Sequence, residues 1–132
     1  MSDKSEKYYL TPVELELMEI LWSLKQGGTV HDVMAQLPTQ RQLAYTSVST
    51  MLRILQQKNV LGIKKIGRQH IYYSLLNKEK YATHSIKKIV KQVFSGNSLE
   101  LVAYLVDKHR LSLDEINQLQ QLLDSKKKEL AT

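Results

Sequence analysis

One stretch narrows the folds open to this chain more than any other: "NVLGIKKIGRQHIYYSLL", Asn59 to Leu76. Leu61 and Ile63 before Gly67-Arg68, and Ile71, Tyr73 and Leu75 after it, keep a two-residue apolar period. That pattern predicts a β-hairpin turning at the Gly-Arg pair. Ile66 falls out of phase with Ile63. Whatever this chain becomes, it must place a short ribbon carrying Lys64, Lys65 and Arg68 directly behind a helical segment.

Three helices are signalled ahead of the ribbon. Thr11-Pro12-Val13-Glu14 reads as a capping box with proline at the first helical position. Val13, Leu17, Ile20, Leu21 and Leu24 then fall on one side, and Leu15, Met18 and Trp22 on another. A helix apolar on two sides is expected to be buried on two sides. Gly27-Gly28 ends it. A shorter helix is expected over Thr29 to Gln36, with Thr29 and Asp32 as its cap pair, and Pro38 stops it. A polar connection, Thr39 to Tyr45, leads into a third helix from about Thr46 to Lys58. Its Val48, Met51, Leu52 and Leu55 gather in one arc, and Thr46, Ser49, Thr50, Arg53 and Gln57 in the opposite one.

That polar arc contains hydroxyls, an amide and one arginine, and no acid. Solvent-facing helices ordinarily mix Glu with Lys, whose pairs stabilise the helix. Groups of this kind suit a phosphate backbone and base edges. The charge distribution agrees. Residues 1–40 hold three Lys or Arg against six Asp or Glu, and residues 92–132 hold five against six. Residues 41–91 hold eleven against Glu79 alone. A basic block between mildly acidic flanks points to a polyanion, with nucleic acid the leading candidate, over uniform solubilising charge.

Beyond Asn77 the rhythm is helical throughout. Ile86, Ile89, Val90, Val93 and Phe94 mark one helix closed by Gly96, and Leu99, Leu101, Val102, Leu105 and Val106 a second. A capping box at Ser112–Glu115 opens a third, with Ile116, Leu119, Leu122 and Leu123 apolar. These helices are too few to make a good core unaided, so their stripes need another surface. A second copy is the expectation, because paired half-sites need paired readers. Ile89, Val93, Leu101, Leu105, Ile116, Leu119 and Leu123 are the candidate dimerisation residues.

The fold expected is mainly α: a winged helix-turn-helix domain over residues 8–76, then a helical dimerisation region over residues 77–128. In that arrangement the third helix enters the major groove and the ribbon reaches the adjacent backbone. The candidate DNA-binding residues are Arg41, Thr46, Ser47, Ser49, Thr50, Arg53, Gln57, Lys64, Lys65 and Arg68.

"LTPVELELMEILW", "YTSVSTMLRILQQKNVL" and "GRQHIYYSLL" together resemble the penicillinase and methicillin-resistance repressor family, which also contains copper-responsive repressors. The likeness runs from about Leu10 to Leu123. It implies a homodimeric transcriptional repressor that binds a dyad-symmetric operator in double-stranded DNA. It carries DNA contacts over to Thr46, Ser47, Ser49 and Thr50, and the wing contribution to Lys64, Lys65 and Arg68. A membrane sensor or protease that triggers release would be a further partner. Three departures stand out. Many relatives have an arginine immediately before the helix leucine, where this chain has Ile54 and its arginine is Arg53. The copper-responsive branch ends in clustered cysteines, and this chain has none. Antibiotic-responsive members carry an Asn-Phe scissile bond where "LELVAYLVDK" places Tyr104-Leu105.

Other chemistry finds little support. His31, His70, His84 and His109 are scattered and read as surface or packing residues, with neither metal nor cofactor expected. His70, beside the ribbon, is the one placed to meet phosphate. Tyr72 and Tyr73 could stack on bases, but strand tyrosines are more often packing residues. No Gly-rich phosphate loop, Ser/His/Asp pattern or paired acids point to an enzyme. With zero cysteines, disulfides are excluded and a cytoplasmic location is expected. The polar N-terminus, "MSDKSEKYYL", does not read as a signal peptide, and no apolar run is long enough to span a membrane. The rival to DNA binding is a winged-helix protein-interaction module, since fold alone does not decide function. RNA binding would call for an exposed aromatic platform that this sequence does not offer.

Overall fold

A computed structural model of the chain describes residues 9–108 and 110–132. The polar N-terminal stretch, with Tyr8 at the start of the expected winged-helix span, and His109 lie outside the described residues. The order of elements is α1 (Pro12–Ser23), α2 (Val30–Ala35), α3 (Tyr45–Gln57), β1 (Leu61–Ile66), β2 (Gln69–Ser74), α4 (Lys78–Val93), α5 (Ser98–Lys108) and α6 (Leu113–Ala131). The chain divides into two compact units, Met1–Ile86 and Lys87–Thr132, with the boundary inside α4.

Local chemistry explains the helix starts of the first unit. In α1 the Thr11 hydroxyl accepts the Glu14 N–H at 3.1 Å while the Glu14 carboxylate accepts the Thr11 N–H at 2.9 Å. Thr29 and Asp32 repeat the arrangement at α2. Both boxes satisfy amide groups that a helix start would otherwise leave open. Helix α1 is buried on two sides, as expected: Leu17 and Leu21 come from one stripe and Met18 from the other. Trp22 on that second stripe donates its indole N–H to the Leu76 carbonyl at 2.8 Å, tying α1 to the exit of the ribbon.

The core gathers Leu17, Met18, Leu21, Val33, Val48, Leu52, Leu55, Val60 and Leu61, all essentially inaccessible. Val48, Leu52 and Leu55 come from α3. Each would lose roughly 1.5–3 kcal/mol on exposure. Any rotation of α3 about its axis would expose at least one of them. The apolar arc therefore fixes which residues face outward.

The hairpin carries one correction. Ile63 pairs with Tyr72, Lys65 with His70 and Ile66 with Gln69, around the two-residue loop Gly67-Arg68. With two residues in the loop, an odd-numbered position on β1 faces an even-numbered one on β2. Leu61 and Ile63 thus share their face with Tyr72 and Ser74, not with Ile71 and Tyr73. Tyr72 is buried in the core, and Ile71 and Tyr73 lie on the opposite face with Ile66. The ribbon gains a third, one-residue edge where Gly28 and Tyr72 exchange backbone hydrogen bonds of 2.8 and 2.9 Å. Gly27, at φ +80°, makes that approach possible, because a Cβ there would collide with the Tyr72 carbonyl.

An ion pair joins the two ends of this framework. Glu14, only 5% exposed, accepts from the Lys58 ammonium just past α3 at 3.0 and 3.2 Å. Burial pushes the Glu14 carboxyl up, but the Thr11 N–H and Lys58 more than offset this and hold it below its ordinary 4.5. A folded-state value below the unfolded one means that the unfolded chain binds more protons. The stabilisation is complete above about pH 4.5 and is lost as pH falls through the folded value. Glu14→Gln keeps the cap but not the charge, and is expected to cost about 1–2 kcal/mol at neutral pH, discounted for the partly exposed lysine. Urea unfolding at about pH 7 and about pH 4 should show the difference from wild type shrinking at the lower pH.

The second unit is all helical. Ser112 and Glu115 form the capping box of α6. Gly96, at φ +79°, donates its N–H to the Val90 carbonyl at 2.9 Å and closes α4. Phe94 and Tyr104 meet edge to face at 5.8 Å. No residue of α5 or α6 is buried within the protomer.

Candidate nucleic-acid interface

The outward arc of α3 is the one expected. Thr46, Ser47, Thr50, Arg53 and Gln57 are exposed and Ser49 is half-buried. No side chain caps its first turn, and its N-cap is Ala44. The leading amide groups of α3 are therefore not satisfied by a side chain, unlike those of α1, α2 and α6. No acid stands in that turn.

A cleft of about 300 Å³ connects this face to the ribbon. Tyr45 and Ser49 of α3 form one wall, Arg68, Gln69 and His70 another, and Thr29 to His31 at the start of α2 the third. The His31 and Tyr45 rings meet at a tilt, with centroids 4.8 Å apart, across it. Arg68, predicted from the ribbon, and Ser49, predicted from the helix, are therefore brought to one place. Thr29, His31 and Tyr45 belong to the same cleft but were not among the candidates. Nothing local marks them, because the Gly28–Tyr72 bridge is what sets α2 beside β2.

The neighbouring lysines of β1 part company. Lys65 pairs with His70, on the face that also carries Ile63 and Tyr72. Lys64 pairs with Ile71 on the reverse face. Both are exposed. The two-residue period of a strand requires this split, so it was open to sequence reading. Arg41 lies elsewhere. Its Nε donates to the Glu16 carboxylate of α1 at 2.9 Å, and it lines a separate cleft with Glu16, Glu19, Ile20 and Leu37. The structure does not bring Arg41 to the cleft shared by α3 and the ribbon.

The candidate dimerisation residues lie on α4, α5 and α6. Ile89, Val93, Leu105, Ile116 and Leu123 are 40–68% exposed, and Leu101 and Leu119 are half-buried. Among the described residues, no three His, Asp or Glu side chains cluster as a metal site. No helix there is long and apolar enough to cross a membrane.

Comparison with known proteins gives a family and several relatives, three of them as follows. A family model described as "Penicillinase repressor" matches residues 10–125. The chain is 27% identical to the methicillin resistance regulatory protein MecI of Mammaliicoccus sciuri, over 92% of this chain and 98% of that one. It is 25% identical to a penicillinase repressor of Bacillus licheniformis, over 89% and 91% of the two chains. It is 29% identical to the transcriptional regulator BlaI of Mycobacterium tuberculosis, over 86% and 82%.

Proposed function

Because this chain belongs to the penicillinase repressor family, we propose that it is a DNA-binding transcriptional repressor acting as a homodimer on a dyad-symmetric operator. Helix α3 enters the major groove and presents Thr46, Ser47, Thr50, Arg53 and Gln57 to base edges and phosphates. Its uncapped first turn accepts a backbone phosphate. Lys65 and Arg68 meet the adjoining backbone, with His70 beside them, while Lys64 reaches it from the far side of the ribbon. Arg41 contributes by bracing the α2–α3 connection against α1 through Glu16, and not by contacting DNA. The observation that carries this reading is the meeting of the acid-free helix α3, through Tyr45 and Ser49, with Arg68 of the ribbon loop around one cleft.

The second unit supplies the dimer in this reading. Helices α5 and α6 bury no residue within the protomer and α4 buries only Val90, which leaves Ile89, Val93, Leu105, Ile116 and Leu123 for a second copy. Tyr104 and Leu105 sit within the helical turns of α5. A protease cutting between them would first have to unwind that helix.

Gel shift with random duplex at low salt separates this function from a protein-interaction module. Retardation that weakens steeply with salt supports DNA binding, and its complete absence favours the module. With a duplex chosen by selection from random sequence, Arg53→Ala and Thr50→Ala are each expected to lose roughly 1–3 kcal/mol of discrimination. Random-duplex affinity should change much less.

A further inference from the structure

The winged helix leaves part of the basic block unused. Of its eleven Lys and Arg residues, Arg41 and Lys58 are tied to Glu16 and Glu14 of α1. Arg53, Lys64, Lys65 and Arg68 belong to α3 and the ribbon. The other five, Lys78, Lys80, Lys87, Lys88 and Lys91, are all on α4, with Glu79 the one acid of that helix.

Helix α4 runs unbroken for 16 residues. At about 100° per residue, Lys80, Lys87 and Lys91 fall on one line, spaced by roughly 10 Å and then roughly 6 Å. All three are exposed, and none is ion-paired among the described residues. Ile86, Ile89, Val90 and Val93 gather on a different side. Lys87 and Lys91, four apart, repel each other, which costs an isolated helix stability. Helix α6 shows what this chain does on a merely solvated face. It flanks Lys126, Lys127 and Lys128 with Asp124 and Glu129, and Lys126 pairs with Glu129 at 3.4 Å.

We infer that the lysine line of α4 is a sequence-independent DNA-contact element, meeting backbone phosphates beyond those reached by α3 and the ribbon, an inference that rests on the DNA-binding reading above. Phosphate is the occupant the chemistry selects. Lysine is a compact point charge without the planar fork that reads base edges. A straight row of such charges matches a polymer of evenly repeated anions. Helix α4 begins four residues after β2 ends.

The test compares the full-length wild type with the Lys80→Gln, Lys87→Gln, Lys91→Gln triple variant on a long random duplex across a salt series. Glutamine nearly matches lysine in helix propensity, and circular dichroism checks that the helix content is kept. The triple variant should show a slope of log affinity against log salt that is shallower by roughly 0.9 for each lysine meeting a phosphate. Its preference for a selected operator over random sequence should stay at the wild-type ratio. An unchanged slope, with the wild type binding DNA, overturns the inference and leaves DNA binding by the winged helix standing. Lysine-dependent binding to phosphatidylglycerol vesicles with an unchanged DNA slope overturns it in favour of a lipid surface. A wild type that binds no duplex at any salt overturns both.

Discussion

Lys65→Ala combined with Arg68→Ala is expected to weaken binding to every duplex by on the order of 10³-fold near 0.1 M salt. Two phosphate contacts per protomer are four per dimer, and each contributes roughly 0.9 to the salt slope, so the slope should flatten by about 3–4. The ratio of operator to random-sequence affinity should hardly move, because these side chains meet backbone and not base edges. The choice of Lys65 over its neighbour follows from register. Lys65 shares a face with His70 and Tyr72, which line the cleft beside α3, while Lys64 points the other way with Ile71. Lys64→Ala is therefore the control, with a smaller effect. Anisotropy titrations across a salt series measure all of this. A larger loss from Lys64→Ala than from Lys65→Ala would show that the ribbon meets the duplex with its reverse face.

Leu105→Asp together with Leu123→Asp should convert a dimer to a monomer and lower operator affinity by about 10²-fold or more, as the second half-site loses its effective concentration. Both side chains are substantially exposed in the protomer, at 40% and 54%, so a carboxylate at either costs the single chain little. At an interface between copies the same carboxylates are desolvated and unpaired, which is strongly unfavourable. The core of the first unit, from Leu17 to Leu76, is untouched. Weak binding to random duplex should accordingly survive as the binding of a monomer. Sedimentation velocity and gel shift on the same samples give the two readouts. A wild type that sediments as a monomer at micromolar concentration would remove the dimer from the proposal.

The sequence by itself determined the order of elements, and for local reasons. Capping boxes at Thr11, Thr29 and Ser112 satisfy groups three residues away. The apolar arc Val48, Leu52 and Leu55 repeats within a single helix, so the outward face of α3 could be read from the same thirteen residues that form it. Strand phase within β1 was equally local, and so was the glycine-first loop at Gly67.

Tertiary structure decided what depends on partners far along the chain. Alternation on β2 is compatible with either face, and the two-residue loop together with burial of Tyr72 chose between them. Arg41 and Lys58 look like any other cations of the basic block. Contacts with Glu16 and Glu14, 25 and 44 residues away, tie Arg41 of the α2–α3 connection and Lys58 just past α3 to α1. The third wall of the cleft, Thr29 to His31, owes its place to hydrogen bonds between Gly28 and Tyr72. Periodicity reports which side of an element is apolar. Which charges remain free to meet a ligand depends on counter-charges that only the folded chain brings within reach.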